Sequence, residues 1–300
     1  MQGCSISQSA PLPDLNTWQV VDSASQVHSK STADLITLRL AIENGDSNIQ
    51  QEFEFVPITE PLQMTAYAAP VIKAQKYYGG EFAHPIRGLP EWIHADDPLP
   101  ARSKVHAEFG ITGTMGWVQN GLDAYLAEVN GSVKLEFKDG TTACLGWVRT
   151  NDLPYKSLGK MLAHDGHINP NRIDLEAIRR VYEEKPELVH RYMLKNDRAV
   201  FFERVNCDEW PRASTGVKLL PMACAAVDPE FIPLGSVLLI EGVFADETPF
   251  RIPVAAVDIG GAIKGHRLDL YVGDGSTAMQ FAGEQNRMVK ASILRKKISR

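Results

Sequence analysis

At 300 residues, 44% of them hydrophobic and 23% charged, the chain has the composition of an ordinary soluble globular protein, with length enough for one large or two moderate domains. A net charge of −6 and a pI near 5.8 argue against a nucleic-acid ligand, because phosphate binding draws on clustered Lys and Arg; the one basic run, Arg295 to Arg300, reads as a solvated end. No apolar run approaches the roughly 18–20 residues that span a bilayer, and the start carries no apolar signal core.

In chain order, Met1-Gln2-Gly3-Cys4-Ser5 opens a polar, Pro-containing stretch that reads as a tether over 1–33. Gly3-Cys4-Ser5 resembles the end of a bacterial lipoprotein signal without its apolar part, which makes Cys4 a lipidation candidate and an outer-membrane anchor the matching expectation. A helical-looking segment from Asp34 leads to an alternating strand at Phe53–Pro57, and Met64 to Pro70 is a second extended piece. Gly79-Gly80 and four prolines between Pro85 and Pro100 break the pattern, so a domain boundary is expected near Gly79. Val133, Leu135 and Phe137 alternate with charged residues up to Asp139-Gly140, which predicts a hairpin with Thr141–Val148. Amphipathic helices are expected at Tyr155–His164, Asp174–Glu184 and Pro186–Lys195, then a strand at Ala199–Phe202. Six short apolar strands follow, at 218–220, 223–227, 236–241, 251–257, 268–272 and 288–294, with Gly273-Asp274-Gly275 read as a turn. A small closed barrel would dispose of their edges.

Cysteine spacing gives no metal clip: Cys144, Cys207 and Cys224 show no C-x-x-C, Cys207 with Cys224 is an admissible disulfide, and buried thiols are the commoner state. His164-Asp165-Gly166-His167 has no matching second pair and reads as an exposed turn after a helix. No metal or other cofactor is expected.

The stretch with most chemical content is Ala256 to Tyr271. An apolar run delivers Asp258, Gly260-Gly261 interrupts it, and an alternating segment carries Asp269, a strand, turn and strand with two carboxylates. Adjacent glycines allow main chain to lie close to a ligand. Local patterning does not rank the two acids.

Longer motifs do. Val227-Asp228-Pro229-x-x-Ile232-Pro233-Leu234-Gly235, Asp258-x-Gly260-Gly261-Ala262-Ile263-Lys264-Gly265 and Asp269-x-Tyr271-x-Gly273-x-Gly275 resemble the three-aspartate domain of the membrane-bound lytic transglycosylase A family. Thr65-Ala66-Tyr67-Ala68-Ala69-Pro70, Leu99-Pro100-Ala101-Arg102, Val129-Asn130-Gly131-Ser132 and Asn151 to Gly159 resemble its upstream elements, so the likeness runs from about Thr65 to Leu294. The resemblance implies a mainly β protein with some helix. A double-psi β-barrel is formed by 34–78 and 210–300, a β-rich domain of 79–209 is inserted, and a groove between them holds a peptidoglycan glycan strand. It further implies cleavage of the MurNAc–GlcNAc bond without water, in the cell envelope, with Asp269 as single acid/base, Asp258 its neighbour and Asp228 in support. Thr65, Tyr67, Asn130, Ser132, Tyr155, Gly260, Gly261 and Lys264 become substrate-contact candidates.

One carboxyl suffices for that chemistry. A neutral acid protonates the glycosidic oxygen, which needs a raised pKa, and the resulting carboxylate takes the proton of the C6 hydroxyl that attacks within the same sugar. The chain departs from the family pattern where Ile259 replaces Thr, Ala66 replaces Gly, Asn130 replaces Gln, Val133-Lys134 replaces Gly-Arg and Met222-Ala223-Cys224 replaces Gly-Arg-Ser. Two other readings stay open: an inverting hydrolase using Asp258 and Asp269 as a pair, and a glycan-binding protein without turnover.

Overall fold

The computed structural model describes residues 53–296. The chain lays down β1 (Phe53–Pro57) and β2 (Leu62–Ala69), then crosses at Pro70 into a second sheet with β3 (Val71–Gln75) and β4 (His84–Arg87). The helix α1 (Arg102–Phe109), β5 (Thr114–Val118), α2 (Gly121–Asn130) and the hairpin β6 (Ser132–Phe137) and β7 (Thr142–Thr150) follow. Three helices, α3 (Leu158–His164), α4 (Leu175–Glu184) and α5 (Pro186–Lys195), precede β8 (Val200–Val205), which completes the second sheet in the order β4-β5-β3-β6-β7-β8. The chain then returns to the first sheet with β9 (Cys224–Val227), β10 (Val237–Val243), β11 (Pro249–Asp258), β12 (Arg267–Asp274), a helix α6 (Gly275–Glu284) and β13 (Asn286–Lys296).

The first sheet closes on itself. Its order is β1-β13-β10-β11-β9-β12-β2, and the first residues of β13 pair back onto β2, so six strands form a barrel to which β1 is added. Two of its pairs, β9 with β11 and β2 with β12, are parallel. This is the mainly β, barrel-containing fold that the resemblance implied. Strand alternation fills the barrel: Leu62, Met64, Ala225, Val227, Val254, Ala256, Leu268 and Leu270 point inward into one apolar cluster, and the residues between them point out.

Several expectations change. The crossing into the second sheet comes at Pro70, ahead of Gly79, because β3 pairs with β5 and β6. No strand forms at 218–220, where Lys218 makes only an isolated bridge to Arg212. Gly273-Asp274-Gly275 leads into α6 rather than a turn; this helix buries only Ala282 fully and shows little periodicity to read. Asp258 and Asp269 do not lie on a hairpin, since β9 pairs with both β11 and β12 and separates them. The segment before Phe53 lies outside the described residues, as does Cys4.

The cysteine expectation is also corrected: Cys144 on β7 bonds to Cys207, in a short 3-10 turn after β8, and Cys224 is the buried free thiol. Cys224 lies on β9 in the barrel, whereas Cys207 lies beside β7, so the pair that spacing admitted does not form, and only Cys224 keeps the buried-thiol state. Nearby, the Trp210 indole N–H donates to Leu145 O at 3.1 Å, so the returning chain is fastened twice to β7. The bridge closes a loop with a sequence separation of 63 residues. Cys207→Ser is therefore expected to lower unfolding free energy by about 2–4 kcal/mol, read from urea midpoints. An unchanged midpoint, with the wild type equally indifferent to reductant, would deny the bridge a stabilising role.

Candidate functional site

The two aspartates meet through register. Asp258 and Asp269 are each the partner of Ala226, from opposite sides of β9; Asp269 is also the partner of Thr65 on β2, and Thr65 of Asn286 on β13. Asp258, Ala226, Asp269, Thr65 and Asn286 thus form one transverse row on the outer face of the barrel. Strand spacing puts the two aspartate Cα atoms roughly 10 Å apart, with only a methyl group between them. Asp258 reaches this row through a register shift between Ala256 and Asp258, a bulge of the kind that re-aims a side chain.

Their partners differ. The Thr65 hydroxyl donates to Asp269 Oδ1 at 2.6 Å, and among the described residues nothing bonds Oδ2. Asp258 has both oxygens engaged: Oδ1 accepts from the N–H of Ser214 at 2.7 Å and of Ile259 at 2.9 Å, and Oδ2 accepts from the Tyr67 hydroxyl at 2.8 Å. Loss of hydration pushes Asp269 up to about 6, opposed by the Thr65 hydroxyl and the charge of Arg267 and reinforced by the charge of Asp258. Burial also raises Asp258, against the pull of its donors, and burial beside Asp258 raises the Tyr67 phenol well above its usual range.

Ser214 is a site residue that sequence reading missed. It arrives from a loop 44 positions before Asp258, and its hydroxyl accepts the Ile259 N–H at 3.1 Å while helping to favour the ionised form of Asp258. A hydroxyl therefore stands beside Asp258 although position 259 has none, and the Ile259 side chain is 49% exposed at the rim. Nothing local in the sequence marks this contact.

Asp228 is elsewhere. It is 6% exposed, its Oδ2 accepts from Gly265 N–H at 2.7 Å, its Oδ1 accepts from Glu230 N–H at 3.3 Å, and Lys264 Nζ stands 3.7 Å from Oδ1. The Gly265 amide above all holds its carboxyl below the usual range. Asp228 fastens the loop that joins β11 to β12, and Lys264 extends from that loop into solvent. The Gly260-Gly261 part of the loop lies against Tyr155: a Cβ on Gly261 would come to 3.4 Å of the Tyr155 Cβ, so the second sheet's segment touches the aspartate loop here.

Thr65 and Tyr67 also begin the wall of a cleft of about 1420 Å³. One side is β2, β3 and α6, the other α2 and α4, with Asn130, Asn120, Arg172 and Arg179 facing Gln280 and Asn286 across it. Asn120 caps α2 by accepting from Leu122 N–H at 2.8 Å, and Gly131, at φ 72, ends it, which sets Asn130 at the cleft with its amide on Leu126 O. Ser132, by contrast, is 4% exposed inside β6 and does not line the cleft. Of the sequence candidates, Thr65, Tyr67, Asp258 and Asp269 converge, Asn130 faces the adjoining cleft, Tyr155, Gly260 and Gly261 form the seam, and Asp228 and Ser132 are internal. The cleft starts at Thr65 and Tyr67, the hydroxyl partners of Asp269 and Asp258, and its lining mixes amides with charged side chains, a surface that suits a polyhydroxylated chain.

Known proteins resemble this chain in sequence and fold. The family model described as the MltA specific insert domain matches residues 63–203 and that of the 3D domain matches 223–295, together most of the chain. Membrane-bound lytic murein transglycosylase A of Escherichia coli K12 is 29% identical over 243 residues, 78% of this chain and 66% of the relative; a homolog from Buchnera aphidicola is 27% identical over 245 residues, again 66% of its length. The chain thus spans just under two thirds of these curated relatives. The crystal structure of E. coli MltA with bound chitohexaose superposes with a TM-score of 0.76 at 25% identity, covering 89% of this chain and 86% of that one.

Proposed function

We propose that this chain, matched by the MltA specific insert domain over 63–203 and the 3D domain over 223–295, is a lytic transglycosylase of the MltA family, cleaving the MurNAc–GlcNAc bond of peptidoglycan without water to leave a 1,6-anhydro-MurNAc end. The observation that carries the proposal is the state of Asp269, desolvated, bonded among the described residues through one oxygen, and raised to about 6. A carboxyl in that state is protonated in a useful fraction near neutrality, and its free Oδ2 can deliver the proton to the glycosidic oxygen. Once ionised, it accepts the proton of the attacking C6 hydroxyl, and high effective molarity lets the intramolecular alcohol outrun water. The E. coli relative's structure contains chitohexaose, and we assign a glycan strand to the cleft that starts at Thr65 and Tyr67.

In this reading Asp258 is a positioning residue. Its two oxygens are committed to Ser214, Ile259 and Tyr67, which leaves it ill placed to activate water as the base of an inverting hydrolase. It fixes the Tyr67 hydroxyl, and its charge adds a little to the burial that raises Asp269. Asn130 contacts the glycan, while Tyr155 with Gly260 and Gly261 holds the loop behind the acid.

We place the protein in the bacterial cell envelope, as the relatives' names indicate for them. The Cys144–Cys207 disulfide supports an oxidising compartment. Lipidation of Cys4 remains the proposed means of attachment to the outer membrane. The test of the reaction is mass analysis of digested sacculi. Fragments lacking one water relative to hydrolytic products are expected, and a fully hydrated product set would replace the transglycosylase with a hydrolase.

A further inference from the structure

Arg267 stands two residues before Asp269 on β12, on the same face of the strand. Its guanidinium is only partly used. Nη1 donates to Ala262 O at 3.0 Å, and among the described residues Nη2 makes no hydrogen bond. Nε is buried, and among the described residues it is the buried side-chain polar atom without a partner. Folded proteins seldom leave a buried donor unpaired, and where they do, a missing partner is the first explanation to seek. Nε and Nη2 together form one edge of the guanidinium fork, the edge whose two parallel N–H groups match a carboxylate.

Among the described residues no acid fills it. Asp228 is taken by Gly265, Glu230 and Lys264, Glu60 pairs with His266 at 2.6 Å, and Asp269, although it feels the charge of Arg267, makes its hydrogen bond to Thr65 and none to the guanidinium. A guanidinium edge without a protein partner among the described residues, its Nε covered until the side chain turns, therefore lies one strand step from the proposed acid.

We propose that the Nε/Nη2 edge of Arg267 receives a carboxylate borne by the muramoyl sugar that Asp269 cleaves. This rests on the transglycosylase reading above. MurNAc differs from GlcNAc by a 3-O-lactyl ether, which ends in a carboxylate when the stem peptide has been removed and continues into acidic stem residues when it is present. Either source offers the group that a chitin-type chain lacks. Arg267 thus tells MurNAc from GlcNAc at the sugar whose C6 hydroxyl must attack, and it is a specificity residue rather than part of the proton transfer.

The test uses three probes on the wild type, Arg267→Gln and Arg267→Lys: peptide-free murein strands, the same strands with lactyl carboxyls converted to methylamides, and strands carrying stem peptides with their carboxyls free or amidated. Binding is measured alongside release of anhydro ends. The wild type is expected to bind the acid form of one pair at least about tenfold better than its amide. Arg267→Gln should bring that ratio close to one, and Arg267→Lys, which keeps the charge without the fork, should fall between. A preference confined to peptide-free strands identifies the lactyl group as the source; one confined to peptide-bearing strands identifies the stem. Equal binding of acid and amide by the wild type, or a ratio that Arg267→Gln leaves intact, overturns the proposal. If anhydro ends never form, the transglycosylase reading fails by itself, and the binding ratio still decides whether Arg267 reads a carboxylate.

Discussion

Asp269→Asn is expected to lower release of anhydro ends by about a thousandfold, because the same carboxyl acts as acid and then as base, while glycan affinity stays within a few-fold of the wild type. The amide keeps an oxygen for the Thr65 hydroxyl and nearly the same shape, so binding has no reason to fall. The same substitution should also stabilise the protein, in a pH-dependent way. Asp269 is raised from 3.8 to about 6 by loss of hydration, so the folded state holds the proton more tightly than the unfolded chain does. That penalty is absent below about pH 4, where both states are protonated, and complete above about pH 6, where both are ionised. The rise from 3.8 to about 6 sets an upper bound of about 3 kcal/mol, and partial exposure of the side chain reduces it to about 1–2 kcal/mol. Thermal unfolding of both proteins at pH 4 and pH 8 checks this: the variant's advantage should appear only at the higher pH. Wild-type kcat/KM should correspondingly fall about tenfold per pH unit above about 6, as the acid form is depleted. Retained turnover in Asp269→Asn, or a flat profile through pH 8, would remove Asp269 from the acid role.

How much of this was legible in the sequence depends on how local each contact is. Strands with clear alternation, such as Val133–Phe137 and its Asp139-Gly140 turn, and helices with a capping residue such as Asp174, follow from neighbours and were readable. The aspartates were readable as a motif, and the family likeness ranked them. Their geometry was not, since a strand from elsewhere in the chain, β9, lies between the segments that carry them. The Ser214 contact, the disulfide partner of Cys207 and the unfilled edge of Arg267 all depend on loops meeting across long separations, and no periodicity encodes such meetings. Helix α6 escaped because its flanking glycines resemble a turn and its apolar face is thin.

Arg102 shows how a motif residue far from the acids supports the site. In the Leu99-Pro100-Ala101-Arg102 element it looked like one match among several. In the fold its guanidinium pairs with Glu128 at 2.8 Å, the two side chains being 11% and 18% exposed, and also donates to Asn196 O at 3.1 Å and Arg198 O at 2.7 Å while lying 4.7 Å from the Tyr125 ring. Asn196 in turn donates to the Tyr125 hydroxyl at 3.0 Å and accepts from Lys156 N–H at 3.0 Å, next to the Tyr155 that backs the Gly261 loop. Arg102→Ala leaves Glu128 buried without its cation and two carbonyls without their donors, so a loss of about 3–5 kcal/mol is expected in urea unfolding. The sign of its pH dependence follows from Glu128, already raised by burial and held down chiefly by Arg102. Without Arg102 the folded-state pKa rises further above that of the unfolded chain, so the folded variant gains relative stability as protons are added. The gap to the wild type should therefore narrow as pH falls, and Glu128→Gln in the Arg102→Ala background should recover part of the loss at pH 7. A loss below about 1 kcal/mol, or effects of the two substitutions that simply add, would mean that the pair is no more than a solvated contact.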